Sequence, residues 1–450
     1  MRISMVSEHA SPLVDPGGPD AGGQNVHVRE LALALGRAGH DVTVCTRRDD
    51  PAPAEVVELA PSVRVRHVPA GPPEPLPKDE LVDHIPELSA GLERAWGTDR
   101  PDVVHCHFWM SGWAATGPAR RRGTPLVQTF HALGSVKRRH QGAEDTSPDG
   151  RIRVESAVAR RAHGVIASCP DEAAELLQLG VPLASIDTVP SGVDTTMFVP
   201  DGPVAARGDA PRLLVLGRLV RRKGADETVR ALAGVPGAEL VIAGGGADPD
   251  TDPDVARLRR LADEVGVRDR VRFIGAVRRD AVPALLRSAD VVVCAPWYEP
   301  FGIVPLEAMA CGRPVVASRV GGLQETVRCG RTGLHVPPRD PGALAEALRA
   351  LTGDPERAAS LGAAGRRRVV EGYAWDRIAE RTAAVYRVRP PPRRSGRSGR
   401  AGGAPDRSVV PGGPFRRRAG AARRCRRRLN PAQPLRSTGP MSSRHGPRST

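Results

Sequence analysis

A chain of 450 residues exceeds what one hydrophobic core usually organises, which excludes a single small domain and favours two. The formal charge of +15 invites a nucleic-acid or acidic-membrane reading, but seventeen arginines beyond Arg387 stand against one acid, Asp406, so residues 388–450 carry +16 and residues 1–387 carry −1. Seven cysteines with no C-x-x-C pair exclude a zinc ribbon and a disulfide framework, and fit small buried side chains in a reducing cytoplasm.

The first element, MRISMVS, runs straight into a strand pattern without the apolar stretch of a signal peptide, and no run of about eighteen apolar residues follows anywhere. A cytoplasmic protein is expected. RISMVS, DVTVCT, DVVHCH, PLVQTF and HGVIASC read as buried strands, and Val28, Leu31, Leu35 and Ala38 recur at helical spacing between the first two. This βαβ rhythm predicts an α/β domain over residues 1–190 with a doubly wound parallel sheet. It breaks at a polar, Pro- and Gly-rich linker, 191–211, and restarts with RLLVLG, AELVIAG, RVRFIG, DVVVCA and RPVVAS as a second such domain, 212–370. Residues 371–387 hold the last helix and pack back on the first domain. Residues 388–450, largely Arg, Gly, Pro, Ser and Ala, are expected to be disordered.

Chemistry begins in GGPDAGGQNVHVREL, residues 17–31, where a glycine-rich loop opens the first long helix. Free N–H groups and a positive helix end there suit a phosphate, and the absence of G-x-G-x-x-G spacing disfavours a nicotinamide cofactor. His105 and His107 share one face of DVVHCH; no third ligand is spaced to join them, so packing or cleft lining is expected and no metal. In LGRLVRRKG, residues 216–224, Arg218 and Lys223 bracket a loop where a guanidinium fork and an ammonium would hold a diphosphate, with Arg221 and Arg222 facing solvent. In WYEPFGIVPLEAMACGRPVV, residues 297–316, Pro305 suits a first helical turn, Glu307 its positive end, and Gly312 with Pro314 its stop. Glu299 lies in the preceding loop, placed to accept hydrogen bonds from hydroxyls, while the N–H groups of FGIV can meet an anion. Sugar plus phosphate is the ligand such a site fits.

The E-x7-E spacing of E-P-F-G-I-V-P-L-E, with GGQNVHV, FHALGS, PSGVD and GRLVRRKG in this order, resembles the retaining family-4 glycosyltransferases of the GT-B fold, two Rossmann-like domains facing across a cleft. It is similar to the mycothiol-pathway inositol-phosphate glycosyltransferases and the sucrose-phosphate synthases over residues 1 to 387. The resemblance implies a nucleotide diphosphate sugar as donor substrate and no cofactor. It implies that Gly23 gives a backbone N–H to the donor phosphate, that Arg218 and Lys223 hold the diphosphate, and that Glu299 binds the sugar hydroxyls. Phe301, Gly302, Ile303 and Val304 would line the same pocket, Glu307 would bind the ribose, and His131 would sit beside the transferred sugar. The leaving diphosphate would help deprotonate the acceptor on the same face, with charge stabilisation carrying most of the catalysis.

For a small, phosphorylated polyol or sugar acceptor, Lys78 matches a phosphate-gripping lysine, Arg151 or Arg153 would supply a second cation, and Asn25 and His107 complete the candidate set. The family's Tyr and Thr at the acceptor phosphate are here Phe108 and Ala132, which removes two hydroxyl donors. A sugar-nucleotide epimerase of the same fold is the rival enzyme. A nucleic-acid-binding tail is the rival binding function, although no specific nucleic acid is expected, because an out-of-frame reading of a GC-rich gene yields the same tail composition. The basic clusters at 120–122 and 137–140 leave a peripheral membrane contact open. UDP, GDP and ADP donors fit these residues equally, and no oligomeric state is singled out.

Overall fold

The computed structural model describes residues 1–14 and 22–388, so the basic tail and the first part of the glycine-rich loop lie outside the described residues. β1 (Arg2–Val6), β2 (Asp41–Arg47), β3 (Val56–Ala60), β4 (Val63–Val68), β5 (Val103–His107), β6 (Leu126–Thr129), β7 (Gly164–Ala167) and β8 (Ile186–Thr188) form one sheet. Their order is β3-β4-β2-β1-β5-β6-β7-β8, parallel except where β3 meets β4. β9 (Arg212–Leu216), β10 (Glu239–Ala243), β11 (Val271–Phe273), β12 (Val291–Cys294), β13 (Val315–Ser318) and β14 (Gly333–Val336) form the second, in the order β11-β10-β9-β12-β13-β14.

β5, β6 and β7 are buried at every position, as expected where helices cover both faces of a parallel sheet. One face of the first sheet packs on Leu92, Trp96 and Trp109. The other packs on Val28, Leu31 and Leu35 of the helix Gly23–Arg37, whose 3.6-residue stripe turns inward. The final helix, Trp375–Val388, adds Trp375, Ile378 and Tyr386 to that second face, so the chain's last described element lies in the core of its first domain. The two crossings between domains run side by side, with the Val193 N–H bonded to the Tyr373 carbonyl at 2.9 Å. Both sheets direct the carboxyl ends of their strands toward one cleft, the usual ligand position in open α/β sheets. Among the described residues, no helix is long and apolar enough to cross a membrane.

Candidate active site

A cavity of about 410 Å³ lies between the strand ends of the two sheets, and every candidate site residue except His107 and Arg153 lines it; Arg153, two positions along the helix Arg151–Arg161 and so about 200° around it from Arg151, is exposed. On the second-domain side, β9 leads through Gly217, at φ 138°, into a short turn, Arg221–Lys223, closed by Gly224 at φ 79°. A Cβ on Gly224 would collide with the Ala295 carbonyl oxygen, so the turn can lie against the end of β12 only because this residue has no side chain. That approach brings the Lys223 ammonium into an ion pair with Glu299. Arg222 corrects an expectation: it lines the cavity and does not face solvent, since the Trp297 N–H holds its carbonyl at 2.9 Å and turns the residue inward. Gly224→Ala adds about 1–3 kcal/mol of backbone strain to the clash and displaces Lys223. Its kcat/KM is expected to fall by more than tenfold, with a lower thermal midpoint. Gly208→Ala, where nothing lies within 4 Å of the added Cβ, should leave both unchanged.

The loop carrying Glu299 is fixed from behind, because the Gly322 N–H bonds the Glu299 carbonyl at 2.9 Å and a Cβ on Gly321 would strike that same carbonyl oxygen. Burial pushes the Glu299 carboxyl up, but Lys223, with Arg222 and the Phe301 N–H, outweighs it and holds the group below the ordinary carboxylate range. The carboxylate is therefore charged at neutral pH. Glu307 corrects a second expectation. The helix is Ile303–Ala310, capped by Gly302 at φ 74°, so it begins before Pro305 and Glu307 falls beyond the dipole's first turn. Its partner is instead the Arg279 guanidinium. Burial still raises the Glu307 carboxyl above its usual value, with Arg279 opposing.

On the first-domain side, Gly23 opens the helix Gly23–Arg37 and approaches Ile303 across the cavity; a Cβ on it would stand 3.3 Å from the Ile303 Cδ1. Asn25 lines the wall with its amide already engaged, Oδ1 accepting from the Gly22 N–H at 3.0 Å and Nδ2 donating to the Ser11 carbonyl at 3.0 Å. Phe108 lies between the Lys78 ammonium, 5.4 Å from its ring centre, and the Arg151 guanidinium, at 5.0 Å. Each Arg151 nitrogen holds a bond, to Glu155, Ser147 and the Ala132 carbonyl respectively. The first-domain wall also reaches the Glu299 loop: the Ser168 hydroxyl donates to the Pro300 carbonyl at 3.2 Å, and the His140 ring stacks on Tyr298 at 5.3 Å.

His107 does not reach the cavity. The two-residue period of β5 points it, with His105, into the core under the helices Gly23–Arg37 and Trp375–Val388, where it is fully buried behind His131. The sequence paired His107 with His105; the structure instead groups it with His27 and His131, the three bringing ring nitrogens within 4.8 Å of one another. Two of those nitrogens face each other, His107 Nδ1 and His131 Nε2 at 2.9 Å, and His27 Nδ1 is bonded to Ser191 at 3.1 Å. Burial keeps the group neutral, lowering His27 to about 4 and His131 well below its usual value.

Residues 202–368 match the family described as "Glycosyl transferases group 1", and residues 21–197 match "Glycosyltransferase Family 4". D-inositol 3-phosphate glycosyltransferase 1 of Catenulispora acidiphila is 40% identical over 401 residues, 86% of this chain and 95% of its own. The chain belongs to the group 1 glycosyltransferases. The D-inositol 3-phosphate glycosyltransferase of Mycolicibacterium smegmatis is 38% identical over 423 residues, 89% of this chain and 95% of that one. Among solved structures, a sucrose-phosphate synthase from Thermosynechococcus elongatus superposes with a TM-score of 0.80 at 35% identity, covering 86% of this glycosyltransferase and 98% of that chain. The two parallel-sheet domains are those of a GT-B enzyme. Sequence reading of this glycosyltransferase missed Arg222 and Arg279 in the cavity wall. Arg279 follows VRFIG at the end of β11, the same strand-end signal that singled out Arg218, and the rule applied once more would have found it.

Proposed function

We propose that this glycosyltransferase moves a hexosyl group from a nucleoside diphosphate sugar to a small, hydroxylated, phosphorylated acceptor, with retention at the anomeric carbon. The observation that carries the reading is the Lys223–Glu299 pair on the cavity wall: a cation beside an ionised acid, next to Arg218 and Arg222, supplies charge for a diphosphate and an acceptor of hydroxyl hydrogens within one site. Arg218, Arg222 and Lys223 hold the diphosphate, the Gly23 N–H and its helix start meet the same charge from the opposite wall, and Glu299 orders the sugar. Glu307, held by Arg279, meets the ribose, and Phe301 to Val304 close the pocket around the sugar. As the glycosidic bond lengthens, charge grows on the leaving diphosphate, which takes the acceptor proton on the face it leaves. Preorganised cations stabilise that charge without reorganising, and the route uses no cofactor or bound metal.

The test is a screen of UDP-, GDP- and ADP-hexoses against polyol and sugar phosphates, with products detected by mass and their anomeric configuration by NMR. Acceptor-dependent release of nucleoside diphosphate is expected. Conversion of the donor without an acceptor would instead make the protein an epimerase and overturn the reading.

The acceptor is proposed to differ from the inositol phosphate named for the relatives. Lys78 remains at the cavity wall, but Phe108 and Ala132 offer a phosphate no hydroxyl, and each Arg151 nitrogen already commits one N–H to Glu155, Ser147 or the Ala132 carbonyl. Restoring both hydroxyls in Phe108→Tyr with Ala132→Thr is expected to raise kcat/KM for inositol phosphate by roughly tenfold or more per bond to the charged group. An unchanged value would show that the acceptor phosphate binds elsewhere.

A further inference from the structure

We propose that His107 is a positioning residue: its Nδ1 holds the imidazole of His131, and its contact with His105 ties that hold to Tyr386 on the last helix. The proposal rests on His131 sitting beside the transferred sugar.

The backbone that presents His131 is strained. His131 has φ 63°, and Phe108, whose N–H bonds the Thr129 carbonyl at 2.8 Å, has φ 78°, a region that side-chain-bearing residues rarely occupy. Such strain persists only where the surroundings over-determine it, and here Gln128 Nε2 donates to the Phe108 carbonyl at 3.0 Å and the Thr129 carbonyl at 2.9 Å. The backbone thus sets where His131 begins, and its ring still needs an orientation. The His107 Nδ1 to His131 Nε2 bond of 2.9 Å, with the rings only 18° from parallel, supplies it. Two neutral imidazoles contribute one donor and one acceptor to that bond, so it also couples their tautomers. On its other sides His131 meets the rings of Phe301 and His27, each at 5.0 Å.

Behind His107 the arrangement continues. The His105 ring lies 4.2 Å from that of His107, and both of its nitrogens are bonded, Nδ1 to the Tyr386 hydroxyl at 2.7 Å and Nε2 to the Thr129 hydroxyl at 2.9 Å. A core needs none of this. Burying imidazoles that must find partners costs more than filling the same space with valine or leucine, and His107 Nε2 and His131 Nδ1 have no protein partner even so. Orientation of His131, which among His105, His107 and His131 is the ring that lines the cavity, is what the arrangement supplies. It also gives the helix Trp375–Val388, which enters from beyond the second domain, a direct mechanical line to the centre.

The test uses the full chain, with kcat and donor KM measured for His107→Leu, His107→Asn and Tyr386→Phe on a nucleoside diphosphate hexose consumed by the wild type. Misplacing a reacting-centre group by about 1 Å costs about 100-fold, so His107→Leu should lose about 10- to 100-fold in kcat with donor KM within about threefold. His107→Asn, whose amide sits near the position of Nδ1, should recover most of the loss, and Tyr386→Phe, which removes one oxygen from the far end, should lose about three- to tenfold in kcat. A kcat within about twofold of wild type in His107→Leu overturns the proposal. So does equal damage in the Leu and Asn variants, which is the mark of a packing role. If His107→Leu does not fold, Tyr386→Phe decides, and an unchanged kcat there overturns the coupling. Absence of wild-type turnover with every donor removes the donor reading and this proposal with it.

Discussion

Lys223→Ala and Glu299→Ala are each expected to reduce kcat by at least about 100-fold, equivalent to about 2.7 kcal/mol of lost transition-state stabilisation. The size follows from where the pair sits. Both side chains line the cavity between the two sheets, and each is the other's ion-pair partner. Removing Lys223 therefore does two things: it takes a cation from the proposed diphosphate site, and it leaves the Glu299 carboxylate in a poorly solvated wall with only Arg222 and the Phe301 N–H to oppose its burial. The second effect has a pH signature. In the wild type the carboxyl is held below its usual range, so its ionised form persists well into acid, and the stabilisation from the pair is lost only as pH falls through that lowered value. Lys223→Ala lifts the carboxyl toward or above the ordinary range. The residual activity of the variant should therefore decline at a higher pH than that of the wild type. Measured pH profiles of kcat for the two proteins check both parts. Near-wild-type rates in both alanine variants would remove the pair from the donor site.

Much of this arrangement was legible in the residues. The ten apolar runs of the sequence are β1, β2, β5, β6, β7, β9, β10, β11, β12 and β13; most are buried nearly throughout and write themselves as runs of Val, Leu and Ile, while β11, VRF, is exposed at Arg272 and shows only through the Ile and Gly that follow it. β3, β4, β8 and β14 escaped, since VVELA, VRVRHV, IDT and GLHV are partly exposed and interleave charged or polar residues with apolar ones. Strand ends with Gly and cations marked the second-domain wall of the cavity, and loop position distinguished Glu299 from Glu307. Sequence spacing carried no trace of who would pair with whom. Glu307 looked like a helix-start acid because its partner, Arg279, arrives from another strand end. His107 looked like a cleft residue because periodicity gives the face of a strand and not what covers it; the cover includes the helix Trp375–Val388, from the far end of the chain. The three-histidine group is likewise a product of topology, with members on a helix, a strand and a strand end that only the parallel sheet brings together.

The largest expected effect on stability belongs to Arg151, a residue the sequence offered as an acceptor ligand. In the helix Arg151–Arg161 its Nε lies 2.7 Å from a Glu155 oxygen, with side chains 4% and 0% exposed, and Glu155 in turn accepts from the Gly134 N–H at 2.9 Å. Arg151→Ala leaves that carboxylate buried without its cation, a change that typically costs about 3–5 kcal/mol. Burial already raises the Glu155 carboxyl against the opposition of Arg151, and without Arg151 it rises further. A carboxyl raised in the folded state binds protons more tightly there than in the unfolded chain, so the variant's stability falls as pH rises through that window. Denaturation midpoints should therefore show a larger deficit at about pH 8 than at about pH 5. Arg151→Met with Glu155→Leu removes both charges together, and should be more stable than Arg151→Ala while falling short of wild type, because the Gly134 N–H loses its acceptor. Equal midpoints for Arg151→Ala and wild type would deny the pair its structural role. If the deficit appears and folded Arg151→Ala keeps the wild-type acceptor KM, Arg151 serves the wall of the acceptor site and leaves its ligand to Lys78.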